Sequence, residues 1–290
     1  MLDAHPEPST RIDLHTHSTA SDGTLTPAEL MRAAAETGLD VIAITDHDTT
    51  AGWDAAASAR PAGVTLVRGA ELSCRWYGRG SSIPLHLLAY LFDPTEPALV
   101  AELARLRTAR ERRAERIVRR MRADGFPVSW DEVLAYAAGG SVGRPHIAQA
   151  LVNAGLVASI DEAFTPPWLG ERYRLPKEDL DVVTAVRLVR AAGGVPVLAH
   201  PRASRRGRIA PDALIVELAR AGLIGLEADH ADHTPDDRRH LRRLAERLGL
   251  VVTGASDFHG ANKTIPLGAH TTEPAALDRL LAAGSGVPVL

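Results

Sequence analysis

The sequence predicts an α/β fold: a closed or distorted barrel of about seven strands that carries an inserted helical subdomain, with an open doubly wound sheet as second choice. Three observations lead there. Short β-branched or aliphatic runs recur along the chain, helical patterns lie between most of them, and the alternation stops for about 80 strand-poor residues in the middle.

The runs are RIDL (11–14), VIAIT (41–45), VTLV (64–67), LHLLAY (85–90), VPVLA (195–199), LIGL (223–226) and VVTGA (251–255). Nearly continuous apolar runs of this length fit strands covered on both faces. The first helix is expected over 27–36: Thr26 suits an N-cap, Pro27 the first helical position, and Gly38 the stop. Similar patterns cover 180–192, ahead of Gly193 and Gly194, and 236–248, ahead of Gly249. Such alternation implies a mostly parallel sheet. Between 95 and 177 the rhythm changes. Leu99, Leu103, Leu106, Ile117 and Met121 repeat at helical spacing, and further helix is expected over 130–138 and 145–154. The barrel is therefore assigned to 10–94 and 178–290, and the helical insertion to 95–177. The arginine-rich stretch 110–122 reads as a solvated helix face, and 284–290 as a last turn or tail.

Composition narrows the function classes. With 290 residues, 45% hydrophobic and 24% charged, the chain suits a globular protein rather than a disordered one. No stretch approaches the roughly 20 apolar residues that cross a bilayer, so no membrane partner is expected. The start, MLDAHPEPST, lacks the pattern of a secretion signal, and the lone Cys74 cannot form an internal disulfide. Both point to the cytoplasm. Cys74 reads as a small buried residue. A net charge of −3 argues against a stable grip on duplex nucleic acid. The twelve histidines are more informative, because imidazole is the commonest metal ligand.

Their positions carry the functional signal. His15 and His17 follow the first run, Asp46 and His47 the second, and Glu71 the third. His86 lies within the fourth, His200 ends the fifth, and Asp257 and His259 follow the last. Strand C-terminal ends of a parallel barrel converge on one rim, where active sites are built. Six runs deliver His, Asp or Glu there. Divalent metals take shells of imidazole nitrogen and carboxylate oxygen, and so many groups exceed what one ion can use. Two or three divalent ions are expected, manganese first, with iron or zinc also suited.

The motifs Asp13-Leu-His-Thr-His-Ser, Ser21-Asp-Gly-Thr, Ile44-Thr-Asp-His-Asp and Gly254-Ala-Ser-Asp-Phe-His-Gly resemble those of the PHP (polymerase and histidinol phosphatase) superfamily. Gly143-Arg-Pro-His-Ile-Ala and Leu198-Ala-His-Pro favour its stand-alone bacterial phosphoesterases with a helical insertion. The resemblance implies a distorted (β/α)7 barrel with a trinuclear centre. His15, His17, Glu71 and Asp257 resemble the ligands of one metal. Glu71, His86 and His200 resemble those of a second, and Asp22, His47 and His259 those of a third. Asp46 is expected to support a ligand, with Asp13 and Asp48 weaker candidates for that part. Arg144, His146 and Arg202 are the phosphate-binding candidates, since the guanidinium fork matches phosphate oxygens. His233 or His230, after the sixth run, would protonate the leaving alkoxide.

The expected activity is a metal-dependent phosphoesterase in which a metal-bridging hydroxide attacks phosphorus. Its substrate would be a small phosphorylated molecule, a nucleotide such as a nucleoside 3′,5′-bisphosphate or a short oligonucleotide. The rivals are a small-metabolite phosphatase of the histidinol-phosphate kind, a non-catalytic metal-holding accessory module, and an amidohydrolase-like enzyme.

Overall fold

In the computed structural model, which describes residues 10–78 and 81–290, parallel pairing starts with β1 (Ile12–Asp13), β2 (Val41–Ile44) and β3 (Thr65–Gly78). β3 then forms a long antiparallel hairpin with β4 (Ser81–Tyr90), and β4 runs antiparallel to β6 (Val195–Ala199). β7 (Gly225–Asp229) and β8 (Val251–Gly254) complete the path in parallel. A two-residue strand, β5 (Leu180–Asp181), hangs off the outer half of β3. The parallel bridge Thr16–Phe258 draws the two ends of the sheet together into a nearly closed barrel.

The expected barrel is present, with two departures. Its sheet is mixed, because β4 is antiparallel to both neighbours, and β3 and β4 extend well past the apolar runs that announced them. Residues 285–290 are also more than a tail. Ser285 N–H bonds the Gly193 carbonyl and Val287 N–H that of Leu91, while Leu290 exchanges both backbone bonds with Leu66.

Helices cover the outside. α1 (Pro27–Glu36) has the expected cap, a reciprocal box between Thr26 and Glu29. α2 (Trp53–Ser58) is a short helix that the sequence reading passed over, anchored by buried Trp53 and Ala56. The insertion holds α3 (Pro97–Ala123), α4 (Trp130–Ala137), α5 (Arg144–Asn153) and α6 (Ile160–Ala163). α7 (Val182–Ala191), α8 (Asp212–Ala221), α9 (Pro235–Leu248) and α10 (Pro274–Ala283) return to the barrel.

Period-two alternation divides the strand residues. Ile42, Ile44, Leu66, Leu198 and Leu226 pack outward beneath the helices, while Val41, Ala43, Val67, Leu88, Val197 and Val251 fill the barrel interior. α3 spans two cores. Leu99, Leu103 and Leu106 join the barrel's outer layer, whereas Ala114, Ile117, Val118 and Met121 pack with Val133, Ile147, Leu151 and Tyr173 in a separate cluster. The insertion is thus a helical unit with its own apolar core, rooted on the barrel by the first half of α3.

Candidate metal centre and substrate cavity

The apolar interior forms a floor, and the chemistry stands one layer above it. Residues two apart on a strand share a face, so Glu71 follows Val67 on the inner side of β3, and Glu227 follows Gly225 on that of β7. His86 shares the inner face of β4 with Leu88. Because β4 runs against its neighbours, an early residue of β4 is level with the last residue of β6: His86 pairs with Ala199. The loops after β1, β2, β6 and β8 supply His15, His17, Asp22, His47, His200, Asp257 and His259. Two of these hold left-handed backbone, His200 at φ 27° and Asp257 at φ 53°. Such strain persists in side-chain-bearing residues only where the surroundings enforce it, typically at functional sites.

All nine expected ligand residues meet there. Glu71 is at the centre: Oε2 is 3.2 Å from His15 Nε2, His17 Nε2 and His47 Nδ1. Its Oε1 is 2.8 Å from His86 Nδ1 and 3.2 Å from His200 Nε2. Asp257 Oδ1 lies 3.4 Å from His15 Nε2 and 3.3 Å from His17 Nε2. Asp22 faces His259 at 3.4 Å and His47 at 3.7 Å. Three sets have ligand atoms within 4.8 Å of one another: His15, His17, Glu71 and Asp257; His17, Asp22, His47 and His259; and His47, Glu71 and His86. The third set differs from the expected one in including His47 and not His200, although His200 shares Glu71 Oε1 with His86.

The donor set fits divalent metal. His15 Nε2, both nitrogens of His17, His47 Nδ1 and His86 Nδ1 are buried and lie against carboxylates without hydrogen-bond geometry. Buried polar atoms are rarely left so, unless an ion satisfies them. Electrostatics agree. Burial alone would depress His15 and His17, yet the Glu71 and Asp257 carboxylates outweigh it, holding His15 well above the usual imidazole range and His17 at about 9. Burial likewise opposes ionisation of Glu71 and Asp22, but the surrounding imidazoles hold both well below the carboxylate range. The pocket is built to accommodate cationic charge among its carboxylates.

Around this cluster, other groups fix the ligands. Glu227, which the sequence reading left without a role, accepts from His15 Nδ1 at 3.1 Å and from the His200 backbone N–H at 2.8 Å. Despite its burial, the neighbouring imidazoles, His15 foremost, hold its carboxyl down at about 2. A carboxylate amid the buried neighbours Leu226 and Ala228 was the available signal. Asp46 accepts from Ser18 N–H (2.8 Å), Ser18 Oγ (2.7 Å) and Ser21 Oγ (2.6 Å), which fastens the loop carrying Asp22. Asp13 accepts from the backbone of His15, Ser256 and Gly268. Asp48 accepts from Ser73 N–H and Oγ and from Arg110.

Several candidates lie elsewhere than expected. His233 donates from Nδ1 to the Ala228 carbonyl (2.9 Å) and accepts at Nε2 from Arg202 N–H (3.1 Å), so both nitrogens serve the backbone and no proton is left for a leaving group. His230 is better placed: Nδ1 accepts from Asp232 N–H, and Nε2 lies 3.4 Å from Asp257 Oδ2. The Arg202 guanidinium is engaged by Asp237 at 2.7 Å and Asp212 at 3.7 Å, on α9 and α8, not by the cavity. His146 Nδ1 accepts from Gly143 N–H at the start of α5, a local structural bond rather than a phosphate contact. Asp229 pairs with Arg242, on α9.

Arg144 does face the site. A cavity of about 140 Å³ opens beside the cluster, walled by Asp22, His47 and His86 on the barrel side and by Arg110, Arg113, Arg144 and Lys177 on the other. Arg144 is set by a bond to the Leu169 carbonyl and by stacking over Phe164. Arg110 and Arg113 correct the reading of 110–122 as a solvated face: Arg110 bonds Ser73 Oγ at 2.8 Å and Arg113 the Leu175 carbonyl at 2.9 Å. Burial, reinforced by these arginines, lowers Lys177 to about 8. Arg110 is already paired with Asp48, and Glu178 and Asp179 share the wall, but Arg113, Arg144 and Lys177 still make the cavity suited to an anionic group. Cys74 is buried, as expected, and burial raises its thiol pKa. Among the described residues, no helix is long and apolar enough to cross a membrane.

A histidine–carboxylate rim beside a cationic cavity, on a barrel of this kind, defines a metal-dependent phosphoesterase. The chain belongs to the PHP family, whose domain model, described as PHP domain, matches residues 13–123. It is 38% identical to a 5′-3′ exoribonuclease of Haemophilus influenzae over 89% of this chain and 93% of that one. It is 35% identical to a 3′,5′-nucleoside bisphosphate phosphatase of Chromobacterium violaceum over 86% and 87%. A solved structure of a candidate metal-dependent phosphoesterase from Bifidobacterium adolescentis superposes with a TM-score of 0.89 at 37% identity, covering 96% of this chain and 98% of that one.

Proposed function

We propose that the protein hydrolyses phosphomonoesters of nucleotides, such as nucleoside 3′,5′-bisphosphates, or of short oligonucleotides. One observation carries this reading: the cationic cavity opens directly onto His47, His86 and Asp22. A substrate with two phosphates uses both halves, the scissile phosphate at the cluster and the other among Arg110, Arg113, Arg144 and Lys177. The names of the exoribonuclease and bisphosphate phosphatase relatives support the same substrate class.

The clusters would hold two or three divalent ions, with manganese favoured and iron or zinc also compatible with nitrogen–oxygen shells. His15, His17, Glu71 and Asp257 would hold one, Asp22, His47 and His259 another, and Glu71 with His86 and His200 a third. When bound, such ions neutralise charge on phosphoryl oxygens and acidify water. The chain's own groups do the rest. Glu227 and Asp13 orient ligands, while Arg144 and Lys177 hold the non-scissile phosphate and so fix the reacting one in place. His230, accepting a backbone N–H at Nδ1, carries its proton at Nε2 on the cluster rim. That is where a leaving-group oxygen would be protonated. The lone Cys74 favours a cytoplasmic site of action.

A histidinol-phosphate-like substrate is the weaker reading, because a single phosphate at the cluster leaves Arg113, Arg144 and Lys177 without a phosphate to bind. A substrate panel on manganese-loaded protein tests the choice, using p-nitrophenyl phosphate, nucleoside bisphosphates, short RNA, histidinol phosphate and an amide. The bisphosphates or RNA should show the highest kcat/KM. Preference for histidinol phosphate or the amide would overturn the proposal.

A further inference from the structure

We propose that Lys263 is a positioning residue for the metal rim. By occupying the outer oxygen of Asp257, it restricts that carboxylate to one ligand atom and leaves room in the ion's shell for water or a phosphoryl oxygen. This rests on the metal-dependent phosphoesterase reading above.

Composition already sets the residue apart. Of the 33 basic side chains only Lys177 and Lys263 are lysine, and both stand at the site: Lys177 lines the cationic cavity and Lys263 bonds Asp257. Lys263 Nζ donates to Asp257 Oδ2 at 2.6 Å and to the Asp257 carbonyl at 3.4 Å. A compact ammonium with three donors can serve two oxygens of one residue, whereas the planar arginine fork suits a bidentate carboxylate.

The two oxygens of Asp257 therefore have separate partners. Oδ1 lies 3.4 Å from His15 Nε2 and 3.3 Å from His17 Nε2, the atoms that would share an ion with it. Oδ2 meets Lys263 and, at 3.4 Å, His230 Nε2. The left-handed backbone of Asp257, at φ 53°, is held by the same group of contacts, because its carbonyl also accepts from His259 Nδ1 at 2.8 Å. That bond leaves Nε2 as the nitrogen with which His259 would bind metal beside Asp22. The segment carrying Lys263 is in turn fixed to the loop of Asp22. In the 3-10 turn Gly260–Asn262, a Cβ on Gly260 would collide with Thr24 Oγ1. Ala261 N–H donates to that hydroxyl at 2.9 Å, and Asn262 Nδ2 donates to the Asp22 carbonyl at 2.9 Å. One short segment thus holds the carboxylate ligands of two metal sets in register.

Charge gives this role a signature. A cation 2.6 Å from a ligand carboxylate repels a metal ion, so Lys263 weakens metal binding while it shapes the site. A merely structural contact would act the other way, since its loss loosens the ligands and weakens the metal.

The test uses K263M, which keeps much of the bulk and removes the charge, and K263R, which keeps the charge. Manganese titrated against a competing chelator should bind K263M about tenfold more tightly than the wild type. On metal-saturated K263M, kcat should fall by about tenfold or more, and equally for p-nitrophenyl phosphate and adenosine 3′,5′-bisphosphate, because the change lies at the rim and not in the cavity. K263R should return metal affinity to the wild-type value and recover part of the turnover. Weaker manganese binding in K263M would reduce Lys263 to a structural contact and refute the proposal. So would tighter binding with full turnover, or no change in either quantity. A wild type that binds no manganese would instead defeat the metal-dependent reading, and this role with it.

Discussion

Replacing Glu227 by glutamine isolates the part played by a carboxylate that touches no substrate. Glu227 is fully buried and accepts two hydrogen bonds, from His15 Nδ1 at 3.1 Å and from the His200 backbone at 2.8 Å. An ionised carboxylate can only accept, so His15 must donate from Nδ1, which leaves Nε2, beside Glu71 and Asp257, as the nitrogen that would bind a metal. Glutamine has nearly the same shape, but only one of its two terminal atoms accepts. Its amide oxygen can serve His15 or the His200 N–H, and its NH2 must then face a donor. The substitution therefore removes one charge-assisted bond, a loss of about 1.5–3 kcal/mol. Divalent-metal affinity should fall by about 10- to 150-fold at the set holding His15. Titration of manganese or zinc against a competing chelator reads this directly, with circular dichroism to confirm the fold. An affinity within twofold of wild type would show that Glu227 does not orient His15.

Two further outcomes concern the cationic cavity. Arg144→Ala should lower kcat/KM for nucleoside bisphosphates by about 10- to 150-fold, the loss of one charge-assisted contact, with metal content and p-nitrophenyl phosphate turnover nearly intact. Equal losses on both substrates would move Arg144 to the reacting phosphate. Lys177 gives a pH signature: burial lowers it to about 8, so its charge is present below that pH and lost above it. KM for the bisphosphate should therefore rise as pH climbs through about 8, and K177R, which stays charged, should flatten that rise. Identical pH profiles for the two proteins would exclude Lys177 from substrate binding.

What the sequence reveals of this site follows from how barrels are built. A ligand at the end of an apolar run is conspicuous, because the run fixes where its strand stops and the parallel topology sends every stop to one rim. His15, His17, His47, His200, Asp257 and His259 are legible for that reason. Glu227 is not. It lies inside its strand, where only the parity of inward-facing positions marks it, and the more conspicuous Asp229, His230 and His233 follow at once. The direction of β4 is equally hidden, since an apolar run does not say which way its strand points, and His86 joins the rim only because that strand is reversed. Arg110 and Arg113 share the composition of a solvated helix. Their burial depends on Ser73 and the Leu175 carbonyl, groups far away in the chain that only the folded insertion brings near. Arg202 illustrates the opposite case, a cation close in sequence to a ligand but claimed by Asp237 and Asp212.

The proposed chemistry requires that the nine converging residues hold catalytic metal. Elemental analysis of active, purified protein, combined with chelation and reconstitution, tests it most directly. Two or three divalent ions per chain should be found, activity should vanish on chelation, and manganese should restore it best. Fully active protein with less than one ion per chain would rule out a catalytic metal at this rim.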